Sequence, residues 1–349
     1  MPKFRVAFKA SFRFFAVLLG VGLLAYLVFR TGPQTIWKNV QAVGFGLALI
    51  ILIGGISHLV KTWAWRLTFT CDIGRLSWSR SFGMRLISEA LAQIGIAGKV
   101  LGEGVRVSLL GSAVPIANGI SSGALDAGIY TLTSALVSVL GIVAALLLAP
   151  VPAKWRLYAL LFSVILLAVV VLAAVAMARR WQFISGSARA IGRIPWCRRW
   201  VSKKVTVIDS AENSLLSFHQ DAPGRFWGTV MLNFVCHALA VLEVYIVLRF
   251  MGARVALFSA FVLEGFTKLI NLVGTLNPGN VGTYEGGNIL VTRLFGITAS
   301  SGLTLALCRR ARAIFWAGIG AICLILMQRL SPQGRSELES DTICTTELA

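Results

Sequence analysis

From Leu160 to Ala178 the chain runs for nineteen residues without a charge or a strongly polar side chain. A helix rises 1.5 Å per residue, so such a run spans about the 30 Å hydrocarbon core of a bilayer. A helix apolar on every side calls for an apolar solvent, or for burial on every side. Ala127 to Ala149 is equally clean. Phe14 to Phe29 is shorter, with Arg13 and Arg30 placed to snorkel to the interface. Its basic start resembles a signal peptide, but no small-residue cleavage site follows, so it reads as a retained anchor. Val43 to about Trp65, Phe226 to Leu248 and Ile314 to Gln328 complete a set of six.

Composition agrees. Charged residues make up 13% of the chain and hydrophobic ones 57%, with a mean hydropathy of +0.79. Soluble domains are about 25% charged, so an ordinary soluble enzyme is excluded, and a chain this apolar is not disordered. The net charge of +19 would suit nucleic acid. A basic excess in the loops between apolar segments is instead the mark of inner-leaflet topology, so no nucleic-acid partner is expected. The six cysteines, Cys71, Cys197, Cys236, Cys308, Cys323 and Cys344, are scattered without metal-ligand spacing, so neither a metal nor a disulfide framework is expected.

Two further apolar stretches are not simple spans. Phe82 to Leu110 carries Arg85, Glu89, Lys99, Glu103 and Arg106 among glycines. Phe258 to Phe295 carries Glu264, Lys268, Pro278, Glu285 and Arg293, with six glycines from Gly265 to Gly287. Broken backbone at membrane depth survives only where protein buries it or water reaches it, so both read as re-entrant helices. Basic residues cluster before the first span (Lys3 to Arg13), after the second (Lys61 to Arg85) and between the fourth and fifth (Arg179 to Arg225). That alternation places both termini in the cytoplasm. The anticipated organisation is a basic amino terminus (1–13), one polytopic domain (14–330) and a polar tail (331–349). Within the domain, half one covers 14–149 and half two 156–329, with a cytoplasmic loop at 179–225.

The order span, span, broken segment, span occurs twice. Trp65 precedes Glu103 by 38 residues and Arg249 precedes Glu285 by 36. Three spans per half is an odd number, so the second half would be inverted, with the broken helices meeting near the midplane as in many transporters. The expected fold class is therefore an all-α integral membrane protein of about six spans plus two re-entrant segments, as two inverted repeats.

Asn277-Pro278-Gly279-Asn280-Val281-Gly282-Thr283-Tyr284-Glu285-Gly286 resembles the glycine-rich signature of the lysylphosphatidylglycerol synthase transmembrane-region family, also called the flippase-like domain. Gly98-Lys99-Val100-Leu101-Gly102-Glu103-Gly104-Val105-Arg106 looks like its first-half counterpart, and Arg309, Arg310 and Arg312 are also similar to the family. The usual late pattern has a glycine pair after the proline, and here Asn280 replaces one of them. The first segment lacks the proline often found there. The resemblance covers about residues 10 to 330. It implies translocation of a phospholipid, a polyprenyl-linked or a hopanoid-type lipid in a bacterial inner membrane, beside enzymes of the same lipid pathway. About 20 polar residues follow Arg329, too few for the aminoacyl-transferase domain that some relatives carry there.

Six acids lie within apolar sequence: Glu89, Glu103, Asp126, Glu243, Glu264 and Glu285. Each costs about 2.5–3.5 kcal/mol at a helix centre unless paired, protonated or wet. Glu285 stands in the first turn of a helix opened by Pro278, Gly279 and Gly282, where free N–H groups favour negative charge and could also hold a lipid phosphate. It either binds a cationic head group or a proton, or caps the hairpin. Glu103 and Arg106 share a helix face and form a structural pair or a site. Glu264 and Lys268 read first as a buried pair. Asp126 reads as functional because no partner is visible, and Glu243 as reaching the interface. His58 with Lys61, and Asn233 with His237, read as polar packing. Lys99, Tyr284 and Arg309 complete the candidate substrate or ion site. Ser202 to Phe218 reads as a surface amphipathic helix on anionic inner-leaflet lipid.

A lipid translocator, passive or ion-coupled, fits these features. The alternatives are a scaffold in a lipid or envelope pathway and a lipid head-group transferase. Against an enzyme, no P-loop, H-E-x-x-H, nucleophile elbow or paired D-x-D aspartates are found. No cofactor is expected.

Overall fold

The structure is a computed structural model. It describes residues 29, 33–74, 76–93, 96–111, 114–148, 153–182, 186–187, 205–274 and 280–329. The first expected span, Pro278, Gly279, the tail 331–349 and most of the basic run before residue 205 lie outside the described residues, as do Cys197 and Cys344.

Eleven helices follow one another among the described residues: α1 (Pro33–Val43), α2 (Phe45–Leu67), α3 (Trp78–Ala92), α4 (Ile96–Leu110), α5 (Ile116–Leu148), α6 (Ala153–Ala178), α7 (Val205–Asp221), α8 (Pro223–Phe250), α9 (Leu257–Gly274), α10 (Thr283–Leu294) and α11 (Ala299–Arg329). Five are long and apolar enough to cross a bilayer: α2, α5, α6, α8 and α11. The most apolar, α6, turns Leu161, Ile165 and Leu172 outward, which suits lipid contact. Each broken segment is a pair of short helices, α3 with α4 and α9 with α10.

Two spans begin earlier than hydropathy suggests. α5 starts at Ile116 rather than Ala127, because protein partners take up its polar first turns. The Trp65 indole donates to Ser122 Oγ at 3.3 Å and Asn118 donates to Thr70 at 3.0 Å. α11 starts at Ala299 rather than Ile314, so Arg309, Arg310 and Arg312 are not at its head. Arg309 lies ten residues in, about 15 Å along the axis. Asp126 lies equally deep in α5.

The two hairpins are rooted at opposite faces. α2 and α8 pack antiparallel: Gly46 meets the Phe250 ring, and Gly228 meets Leu67. The carboxyl ends of α2 and α8 therefore lie at opposite faces, and each leads into a hairpin. In the first hairpin, Arg80 at the start of α3 donates to the Leu109 carbonyl near the end of α4 at 3.0 Å, closing its base. In the second, the turns before α9 and after α10 line one cavity of 630 Å³ with Asn39 of α1. Each first arm then crosses the last helix of the other half, α3 on α11 and α9 on α5. Both crossings need glycine. Gly141 and Gly265 bring backbones together, and a Cβ on Gly320 would lie 2.4 Å from the Leu86 carbonyl oxygen. Small residues allow such close approach where lipid supplies no hydrophobic drive.

An apolar cluster of Val244, Val247 and Leu248 on α8, Leu263 on α9 and Leu305 on α11 holds the second hairpin. The amphipathic α7 sits ahead of α8 as α1 sits ahead of α2. Its Leu216 and Phe218 are buried, and the helix packs on α5 and α6. These two side chains of the face expected to meet lipid thus meet protein.

Candidate functional site: a charged layer and a cavity at the hairpin tips

The membrane-embedded charges are almost all paired. In the first half, Arg85 Nη1 on α3 lies 2.6 Å from Asp126 Oδ2 on α5. Arg106 on α4 approaches the same oxygen at 3.4 Å, forms an ion pair with Glu103, and stacks 4.5 Å over the Trp65 ring. Arg106 is 1% exposed, so removing its partners would strand a buried cation. Asp126 is therefore not solitary: two arginines reach it from the hairpin, 41 and 20 residues away in the chain. In the second half, Glu264 on α9 pairs with Lys268 at 3.0 Å and with Arg309 on α11 at 2.7 Å. Glu243 on α8 does not reach the interface. It is 1% exposed and engages Arg309 at 3.5 Å and Arg312 at 3.2 Å.

These clusters occupy matching positions with opposite signs. Arg85 stands seven residues into α3 and pairs with Asp126, ten into α5. Glu264 stands seven into α9 and pairs with Arg309, ten into α11. Lys61 of α2 and Lys268 of α9 both lie over the Tyr130 ring, at 5.2 and 5.6 Å, and so link the halves.

The second hairpin's break is built around two residues in the left-handed region, Asn280 (φ 53°) and Gly282 (φ 80°). Asparagine tolerates that conformation better than most side chains, which suits it to the place where the family pattern has glycine. Thr283 Oγ1 donates to Asn280 Oδ1 at 2.5 Å, and Asn280 Nδ2 donates to Asn271 at 3.0 Å across the break. At the start of α10, Glu285 Oε2 accepts the Gly282 N–H at 2.6 Å, the reach-back half of a capping box. Its other oxygen takes Arg310 at 2.6 and 2.7 Å. Glu285 is 0% exposed, and both its oxygens are used. Its geometry is that of a residue that shapes the break and positions Arg310.

The hairpin tips converge on a 240 Å³ cavity lined by Glu89 of α3 and its cap residue Gln93, Asn271 of α9, Asn280, Tyr284 of α10, and Arg309, Arg310, Arg312 and Ala313 of α11. A second space of 70 Å³ shares Glu89, Gln93, Arg312 and Ala313 and reaches Ser57, His58 and Lys61 of α2. Of the residues anticipated from sequence, Tyr284 and Arg309 line the larger cavity. Gly282 and Glu285 support its wall. Glu264 and Lys268 form the layer behind Arg309, and Glu103, Arg106 and Asp126 the counterpart layer. Lys99 is exposed on α4, away from these clusters. Glu89, Gln93, Asn271, Arg310 and Arg312 were not among the anticipated site residues. One sequence signal pointed to Glu89: Arg85 and Glu89 repeat the i,i+4 spacing of Glu264 and Lys268 with reversed sign. Among the described residues, no group of three or more His, Cys, Asp and Glu could hold a metal ion.

The family model of the lysylphosphatidylglycerol synthase TM region matches residues 13–320 of the 349. The chain belongs to this family. It is a multi-pass membrane protein with a membrane-lipid role, as the family's phospholipid name implies. No curated protein and no solved structure matches it. In this lysylphosphatidylglycerol synthase TM-region protein the matched span takes in both hairpins, the charged layer and the cavity.

Proposed function

We propose that this protein moves a lipid head group between leaflets through the cavity where its hairpin tips meet. One observation carries the reading: arginines and amides line a cavity where the tips of two hairpins meet, the hairpins being rooted at opposite ends of the bundle. An ionised phosphate in bare hydrocarbon faces a desolvation cost of order tens of kcal/mol. Guanidinium and amide groups held ready in the cavity replace its hydration, while the acyl chains stay in lipid. Irregular backbone at membrane depth is tolerated where it lines such a cavity, and a site between oppositely oriented halves suits alternating access.

The reading places the face carrying Arg66, Arg80 and Arg225 in the cytoplasm of a bacterial inner membrane. Transport, passive or ion-coupled, is preferred to head-group chemistry because the described lining of the 240 Å³ cavity is cations and amides with the single carboxylate of Glu89, and it holds no Ser, Cys or His. The test is leaflet exchange of acyl-labelled phospholipids in sealed proteoliposomes, with the lipids analysed afterwards. Wild type moves label without altering it, and Arg312→Gln loses most of that movement. Chemical conversion of the lipid would point to a transferase. A folded wild type that moves and converts no lipid would point to a scaffold.

A further inference from the structure

Of the six membrane-embedded acids, five have ion-pair partners. Glu89 makes no hydrogen bond and no ion pair among the described residues, and it stands one helical turn from Arg85 on α3. An unpaired carboxylate at membrane depth is costly, and this one borders both the 240 Å³ and the 70 Å³ cavities. Arg312 lines the same two cavities. Its Nε faces Glu243 at 3.2 Å, and its two terminal nitrogens make no hydrogen bond or ion pair among the described residues. The side-chain amide of Gln93, at the carboxyl cap of α3 and four residues on from Glu89, also makes no hydrogen bond among the described residues. The cavity thus presents one open anion and one open guanidinium, with an amide beside them, and the remaining embedded acids are consumed elsewhere.

We propose that Glu89 is the residue that sets specificity: it receives the ammonium of a zwitterionic head group whose phosphate lies against Arg312. The site then takes lipids bearing a phosphate and a primary amine over lipids bearing a phosphate alone. This rests on the cavity being the head-group path. A bare anionic lipid gains the Arg312 contact but meets the Glu89 carboxylate, a like-charge clash that works as selection against the wrong partner. An amine turns that clash into a charge-assisted hydrogen bond.

The test separates binding from movement. Purified full-length protein in detergent is titrated with short-chain phosphatidylethanolamine, short-chain phosphatidylglycerol and glycerophosphoethanolamine. Wild type should bind the ethanolamine lipid about tenfold more tightly than the glycerol lipid, as one charge-assisted contact allows. E89Q should erase that preference, and E89D, which keeps the carboxylate, should retain it. Equal binding by wild type, or a preference that survives E89Q, overturns the proposal. If E89Q does not fold, the wild-type and E89D preferences still decide it. Glycerophosphoethanolamine binding as tightly as the lipid would make a free head group the ligand and overturn the lipid assignment. Labelled versions of both lipids are then followed in sealed vesicles. A binding preference without leaflet exchange would refute the translocator reading and leave the Glu89 site standing.

Discussion

Replacing Asp126 by Asn should be among the most destabilising single changes in the protein, and its cost should shrink when Arg85 is neutralised as well. Asp126 holds Arg85 at 2.6 Å and Arg106 at 3.4 Å, and the side chains of Arg85, Arg106 and Asp126 are 13%, 1% and 7% exposed. With Glu103, the group comprises two cations and two anions. Asp126→Asn leaves an excess positive charge in a buried layer, and removing one partner of a buried pair costs about 3–5 kcal/mol. The Asn carbonyl still accepts one hydrogen bond, so about 3 kcal/mol is the better figure. Arg85→Gln alone leaves Asp126 with Arg106 and should cost about 1–3 kcal/mol. The double substitution leaves Arg106 with Glu103, a neutral pair, so it should cost no more than Asp126→Asn alone. The coupling is then about 1–3 kcal/mol, within the range for residues sharing a network. Reversible unfolding of the bilayer-embedded protein by steric trapping would measure the cycle. Costs that add to within about 0.5 kcal/mol, as for independent sites, would refute this account of the layer.

Other consequences follow from single contacts. Gly320→Ala sets a Cβ 2.4 Å from the Leu86 carbonyl oxygen, so α3 must shift and unfolding should become easier; Gly318→Ala, with nothing within 4 Å, should be neutral or stabilise by up to about 1 kcal/mol. A rank order reversed in a thermal melt would contradict the helix crossing. Glu285→Gln should keep the cap, since Gln also accepts from the Gly282 N–H. It should release Arg310 and slow transport, whereas Glu285→Ala should in addition destabilise by about 1–2 kcal/mol through the lost cap. Equal melting temperatures for the two would argue against the capping role. Cysteines placed at Arg80 and Arg254 should react with an impermeant maleimide from opposite sides of the membrane, Arg254 from outside. The native Cys71 thiol, pushed up by burial, should react slowly and leave a low background. Labelling of both from one side would overturn the antiparallel reading of α2 and α8.

Much of this was legible in the sequence, for reasons that also mark where legibility ended. The spans were plain because hydropathy sums over many residues, and the hairpins because charges, glycines and Pro278 interrupt apolar runs. Pro278, Gly279 and Gly282 marked the break, and Thr283 proved to be the first residue of α10. Reading stopped at Asp126 and Arg312 because a charge ends a hydropathy window, yet both sit inside long helices whose partners come from elsewhere in the chain. The same blindness made Glu243 look interfacial and Glu285 look open for a ligand. A single chain shows a charge but not the guanidinium that three-dimensional packing brings to it. Glu89 is the converse case: its lack of a partner is visible only once every other acid has been matched.

The central claim is that the head group crosses through the cavity between the hairpin tips. Ala313 lines both the 240 Å³ and the 70 Å³ spaces and carries no charge. Ala313→Trp fills that volume without touching an ion pair. Leaflet exchange in sealed proteoliposomes, compared at equal amounts of folded protein, tests the claim most directly. The account predicts that exchange falls to the protein-free rate while the melting temperature holds. Exchange at the wild-type rate through a plugged cavity would contradict it.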